Sequence, residues 1–552
     1  MTTTMTYRRS MSKQTEDVGP AVGARPTVFV RNATGLRKEA GAFDIFVYNT
    51  NNQNIALGVA FLGLSIGAYA GGLLPLSAIL ASLLVIPLYM VYTKLSADMP
   101  RSGGDYVWTS RIFGPKFGPP IGFMVAWTWT IVAFTAIGAP AAFFSQLGVA
   151  GWMRAMGVAT GSSFFNTVGD WVSGQTGTIV VGLVLLAFFT FIMIRGVRVY
   201  MKLQNWAFMF AMIGIALQII AGLLTNVHKF SELFNSYVVH AGGVHNAFAI
   251  VTANAHATGA AGGSASATMY AMIWTIYMVL FGATSAYIGG EIRHARSSQR
   301  LGMLGSLLLT GAAIAILLTI LIANIGDKFL NGLSNTDPAK IGLAFTPNYN
   351  ELLTIGAGSN VFWACALGFL FLFWTYVWMP INFFTATRLM LALSLDGYLP
   401  PALSKVHQKY ATPYWGVIVA GVVGAVSLVL YVTGILSIIT LLWGGVVMFT
   451  IVGVAAILYP SRMPDVWAGN GGKRLFGIPT IRIWGFLLVP TMLFVLFLLW
   501  NDPTVGIGRS PLQIVLNVGL PISGLVAYTI IWAVRKSHGI DLRLAAAEIP
   551  PQ

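Results

Sequence analysis

The densest set of polar side chains in this sequence is Asn49, Asn51, Asn52, Gln53 and Asn54, set in an otherwise apolar stretch from Phe43 to Ala70. Amides donate and accept hydrogen bonds without ionising, so the chemistry open to them is recognition rather than bond making. An unsatisfied polar group in hydrocarbon costs several kcal/mol, and these side chains must therefore face protein, water or a ligand. Asparagine is a weak helix former and one of the few residues that enter left-handed backbone conformations, so the run predicts a break in the helix. A broken membrane helix usually marks a binding site. A second candidate break is Gly282, which lies between Phe281 and Ala283 and is followed by Thr284 and Ser285. Glycine is unfavourable inside a helix by roughly 0.5–1 kcal/mol.

Covalent chemistry finds no support. The apolar segments hold no His/Glu or Ser/His pairing, and no glycine-rich phosphate loop of the Walker type occurs, which argues against an enzyme and against ATP as the energy source. No cofactor and no metal is expected. His228, His240, His245 and His256 fall in a long loop, where no Cys, Asp or Glu joins the last three, and they read as solvated. Cys365, the single cysteine, can form no intramolecular disulfide.

The elements that must position the amides follow from composition. The 552 residues are 56% hydrophobic and only 9% charged, far from the quarter or so of charged residues in soluble domains. This is a polytopic membrane protein. Apolar runs of roughly 20 residues, enough to cross about 30 Å of hydrocarbon, number twelve: 44–70, 74–97, 118–149, 177–195, 203–225, 268–291, 301–325, 359–391, 413–432, 436–459, 483–500 and 512–534. Of the 32 basic residues, all but Arg154, Lys229, Lys328, Lys340 and Arg509 fall on one face of that topology. By the positive-inside rule both termini are then cytoplasmic in the plasma membrane, and the net charge of +15 needs no nucleic acid partner. The basic amino-terminal segment lacks an apolar core, so no cleavable signal is expected. Residues 1–42 are expected to be a disordered cytoplasmic arm, 43–535 the membrane domain and 536–552 a cytoplasmic tail. Two outer loops, 150–176 and 226–267, are long. The carboxylates of the outer face are Asp170, Glu232, Asp327, Asp337, Glu351 and Asp502.

Three stretches carry a family resemblance. Asp98 to Phe123 contains Pro100, Arg101, Ser102, Gly103, Gly104 and Tyr106; Ala286 to Arg300 contains Gly-Glu-Ile and a basic tail; Ala386 to Val417 contains Arg388, Asp396, Gly397, Pro400, Lys405, Lys409 and Pro413. In this order they resemble the helix 2–3 loop, the end of helix 6 and the helix 8–9 passage of the amino acid/polyamine/organocation transporter superfamily. The resemblance implies an all-α fold of two five-helix inverted repeats plus two extra helices, with helices 1 and 6 broken at mid-membrane. It also implies secondary active transport of an amino acid by alternating access, within the lipid bilayer.

Half-helix ends expose backbone N–H and C=O groups with dipole ends of about half a charge, which can hold a zwitterion without charged side chains. The expected substrate site is Asn51, Asn52, Asn54, Ala56 and Gly58 at the first break and Phe281, Gly282, Ala283 and Thr284 at the second. A polyamine would call for carboxylates, and none is visible there, so a neutral amino acid is the first expectation. An amino acid/polyamine exchanger and a non-transporting nutrient sensor are the alternatives. The family's Gly-X-Gly of helix 1 is reduced here to Ile55, Ala56, Leu57 and Gly58. Either the amides replace bare backbone, or the substrate is not an ordinary α-amino acid, or the amides simply pack against neighbouring helices. Coupling to a proton is expected, although the lysine some proton-coupled relatives carry in helix 5 is Ala211 here. Thr385 and Thr387 are candidate ligands for sodium. Lys94 and Asp98 are expected to form a cytoplasmic ion pair.

Overall fold

The computed structural model describes residues 34–255, 263–437 and 441–544. Most of the expected amino-terminal arm, His256 and the end of the tail lie outside the described residues. Within them the chain is helical apart from a two-stranded hairpin that pairs Arg474–Leu475 with Ile478–Pro479. Among the described residues, eleven helices are long and apolar enough to cross a membrane: Leu74–Asp98, Gly114–Thr160, Gln175–Ile194, Val197–Leu223, Ala265–Tyr287, Ala295–Ile325, Val361–Leu395, Tyr414–Val432, Leu442–Arg462, Thr480–Asn501 and Pro511–Ser537.

The first of the twelve expected spans does not form one helix. It divides into Ala42–Gln53 and Ile55–Ser65, of 12 and 11 residues, joined at Asn54. Neither half reaches the roughly 20 residues that a crossing helix needs. Asn54 adopts φ 55° and ψ 80°, the left-handed region that the amide run predicts. The second expected break takes a milder form, a 3-10 stretch from Leu280 to Tyr287 that follows the α-helix Ala265–Val279.

Proline accounts for other interruptions. Pro87 follows the junction between Leu74–Leu84 and Ile86–Asp98, and Pro380 follows the junction between Val361–Thr375 and Trp378–Leu395. Each lacks the N–H that a continuous helix requires. The long loops are not open chain. The third span runs on through a π-turn at Phe144–Val149 to Thr160, and Ser163–Ser173, Val227–His240 and Ala247–Ala253 are helices in the long loops.

Large apolar side chains such as Val184, Leu308, Val422, Phe486 and Ile530 are exposed on the outside of the bundle, as lipid-facing residues are. Amides and hydroxyls turn inward: Asn49 through Asn54 are all buried. At the end carrying the basic connections, short backbone bridges join Ala40 to Ile292 and Ser102 to Ile288. Lys94 pairs there with Asp98 at 2.8 Å, as expected.

Candidate functional site

The amide run stitches the first broken segment to its neighbours. Asn49 Nδ2 donates to Ser285 Oγ at 3.0 Å, and the Ser285 N–H donates back to Asn49 Oδ1 at 3.1 Å. Asn52 Nδ2 donates to the Phe281 carbonyl at 3.0 Å and to Thr284 Oγ1 at 2.6 Å. Gln53 Nε2 donates to Ser306 Oγ at 2.7 Å. Asn54 Nδ2 donates to the Trp374 carbonyl at 2.8 Å, while its Oδ1 caps the second half-helix by accepting from the Leu57 N–H at 3.1 Å. The Trp378 indole closes the set with a 2.7 Å bond to the Asn52 carbonyl. Asn51 is the exception, since neither of its buried amide atoms has a hydrogen-bond partner.

These bonds explain why the two breaks meet. A polar side chain in the middle of an apolar bundle is stable only when paired, and the 3-10 stretch supplies the carbonyls and hydroxyls that pair it. Gly282 permits the approach, because a Cβ there would lie 2.0 Å from Gln53 Nε2 and 2.1 Å from Tyr89 Oη.

Beside the two breaks lies a partly open cavity, the kind of concave site in which small molecules bind. Among the expected residues, Asn52, Phe281, Ala283, Thr284 and Thr385 line it. Asn51, Asn54, Ala56, Gly58, Gly282 and Thr387 do not. Ala56 is fully buried, and Gly58 faces Ile314 and Met278, whose nearest atoms would stand 2.9 and 3.0 Å from an added Cβ. Thr385 donates to the Ile381 carbonyl at 3.3 Å. Thr387 donates to the Phe383 carbonyl at 2.7 Å and accepts from Arg388 Nη1 at 2.9 Å. The two hydroxyls therefore serve different surroundings.

Eight of the 24 residues that line the wall are aromatic, Phe281 among them. Tyr92, Trp129, Tyr277, Tyr287, Trp378, Tyr431 and Phe449 face the cavity. Phe281 sits edge-on to Trp129 and Tyr277, with ring centroids 6.1 and 5.8 Å apart. Nothing in the sequence gathers these aromatics, which come from different helices, around one cavity. Asn382 also lines the wall and escaped notice, although an amide in the apolar run WMPINFF was a legible signal. The lining contains no Asp, Glu, Lys, Arg or His. Such a wall suits a ligand without net charge, held by a few hydrogen bonds and a large apolar contact.

Comparison with known proteins adds an independent line. The family model for "Amino acid permease" matches residues 45–532. The branched-chain amino acid permease BcaP of Bacillus subtilis (strain 168) is 32% identical over 131 residues, covering 24% of this chain and 26% of the relative. The large neutral amino acids transporter small subunit 2 of Homo sapiens is 28% identical over 151 residues, 27% of this chain and 25% of the relative. The methylthioribose transporter of Bacillus subtilis (strain 168) is 27% identical over 126 residues, 21% of this chain and 26% of the relative. The matched segments span about a quarter of each of these relatives.

Proposed function

Because the chain belongs to the amino acid permease family, transporters rather than enzymes, we propose that it carries a neutral amino acid across the plasma membrane by alternating access, driven by a proton gradient. The observation that carries this reading is the wall itself, aromatic and free of ionised side chains beside two helix breaks. A polyamine would enter such a cavity with no carboxylate to meet it. In this reading Ala42–Ser65 is the twelfth span, the two broken segments open two five-helix inverted repeats, and both termini are cytoplasmic. Asn52, Phe281, Ala283 and Thr284 contact the substrate. Asn51, Asn54, Ala56, Gly58 and Gly282 shape the breaks around it, and Thr385 and Thr387 are the hydroxyls available to a sodium ion if the coupling ion is not a proton.

A second reading has a specific observation behind it. Asn54 Oδ1 already caps the Leu57 N–H, and Asn52 already binds the Phe281 carbonyl, so part of the open backbone that would hold a zwitterion is taken. An uncharged polar solute would need less of it, and one relative is named a methylthioribose transporter.

A thermal-shift panel on detergent-solubilised protein distinguishes the two, with the common amino acids, two polyamines and methylthioribose as ligands. A native-state binder at a hundred times its Kd stabilises by about 2.7 kcal/mol. Neutral amino acids are expected to raise the melting temperature by several degrees, and Thr284→Val and Ala283→Leu to abolish the shift. A shift from methylthioribose alone would replace the amino acid by a sugar, and a shift that survives both substitutions would move the site elsewhere.

A further inference from the structure

The buried carboxylate Asp105 lines no part of the wall and makes no ion pair among the described residues. Asp105 opens the short helix Asp105–Ile112, outside the long apolar spans, and is fully buried. Its Oδ2 accepts from Tyr92 Oη at 3.0 Å and from Tyr287 Oη at 3.1 Å. Both phenols line the cavity, as does Trp129, whose indole N–H stands close to the carboxyl. Asp105 Oδ1 and Trp129 Nε1 nevertheless each lack a formed hydrogen bond. The carboxyl thus lies one side chain behind the cavity and has a free oxygen.

The other ionisable groups around it are engaged elsewhere. On its own helix, Tyr106 and Arg111 both bond to Asp396, the latter at 2.9 Å. On the helix Ile86–Asp98, Lys94 pairs with Asp98, which also accepts from Tyr459 of Leu442–Arg462. Glu291, beyond the second break, pairs with Arg388 at 2.7 Å. Tyr48 of the first broken segment donates to the Ile381 carbonyl. No Lys, Arg or His pairs with Asp105 among the described residues.

From this placement we infer that Asp105 is the group that carries the coupling proton, which its free Oδ1 takes up from one side of the membrane and releases to the other. The inference rests on the transport reading above and names the residue that performs its coupling step. Protonation forms one O–H bond and turns a buried anion into a neutral acid, and no other reactant is needed. The two tyrosines and Trp129 are the physical link, because a ligand that moves any of them changes how well the anion is solvated. Burial also lifts the Asp105 carboxyl to about 7, in the range where a modest change of environment transfers a proton.

The test uses the full chain in proteoliposomes with an internal pH dye and an equimolar mixture of the neutral L-amino acids, one radiolabelled at a time. Wild-type protein is expected to acidify the lumen on amino acid addition and to concentrate label at least tenfold under an inward proton gradient. Asp105→Asn should keep counterflow exchange and lose that accumulation. Tyr287→Phe removes a donor that stabilises the anion, so the pH midpoint of uptake should rise by about half a unit or more. This variant and the wild-type proton signal decide the matter should Asp105→Asn not fold. Uptake without acidification, gradient-driven accumulation by Asp105→Asn, or an unmoved midpoint in Tyr287→Phe would each overturn the inference and leave amino acid transport standing. Absence of any amino acid flux in wild-type protein would overturn the transport reading and the inference with it.

Discussion

Glu351 sits in the short helix Tyr349–Gly356, where its Oε2 accepts from the Asn348 N–H at 2.7 Å and the Asn348 side chain caps the Glu351 N–H in return. On sequence alone it counts among the outer carboxylates, yet it is only 5% exposed. Burial pushes its carboxyl up to about 7, against the weaker pull of the Asn348 N–H and Arg154. The sign of the consequence is fixed. Below about pH 4.5 the group is protonated whether the chain is folded or not, and no penalty arises. Between there and about 7 the unfolded chain loses a proton that the folded chain keeps, so stability falls as pH rises and levels off above. The cost at pH 8 is on the order of 3 kcal/mol. Melting temperature is therefore expected to decline from pH 5 to pH 8, and Glu351→Gln to make that decline shallower, the buried Asp105 carboxyl supplying the rest. An equally steep decline in the variant would assign it to other groups. The capping pattern Asn-x-x-Glu was legible in the sequence. That the helices Ala150–Thr160 and Val227–His240 cover the cap was not, because covering depends on chain far away in sequence.

Among the elements, the broken first segment depends on Asn54 in three ways: its left-handed backbone, its cap on Leu57 and its bond to Trp374. Glycine satisfies only the first of these, and leucine none. Left-handed backbone costs an ordinary residue about 1–2 kcal/mol, and a lost cap about 1 kcal/mol. Detergent-solubilised Asn54→Leu is thus expected to melt below Asn54→Gly, which melts below wild type. If leucine proved no worse than glycine, the break would owe nothing to backbone conformation. The existence of this break was readable from the amide run, since poor helix formers and αL residues act locally. The 3-10 form of the second break was not readable, because a single Gly282 weakens a helix without specifying its replacement. The partner did that: Asn52 holds the Phe281 carbonyl and Thr284, and Asn49 holds Ser285.

Across the whole molecule, ionic and backbone contacts gather at the end with the basic connections. Arg388 grips Glu291 through two bonds of 2.7 and 2.9 Å, Arg111 pairs with Asp396, and Ser102 and Ala40 bridge to Ile288 and Ile292. These contacts tie the second broken segment to the helix Trp378–Leu395, to the loop before Asp105 and to the chain before the first helix. The cavity extends the other way, toward Ser427, Leu436 and Leu442. Both charges of the Glu291–Arg388 pair are about 1% exposed, and breaking such a pair on one side strands a buried charge at a cost of roughly 3–5 kcal/mol. Glu291→Gln and Arg388→Met are each expected to lower the melting temperature sharply, and the double variant to recover part of the loss. Additive losses in the double variant would mean that the two residues act separately.

Hydrophobic run length, charge bias between connections and the amide cluster determined, from sequence alone, a helical multi-pass membrane protein with a break near Asn54 and the ordered motifs of a known transporter family. All of these are local or additive properties, summed over neighbouring residues, and need no knowledge of what packs against what. Tertiary structure alone decided which amides are structural and which face the cavity, which aromatics make its wall, and where the buried carboxylate Asp105 lies relative to it. Those outcomes depend on contacts between residues hundreds of positions apart, such as Asn52 with Trp378 and Asp105 with Tyr287. In a bundle whose helix surfaces are almost uniformly apolar, no periodicity along one helix tells which face meets which neighbour.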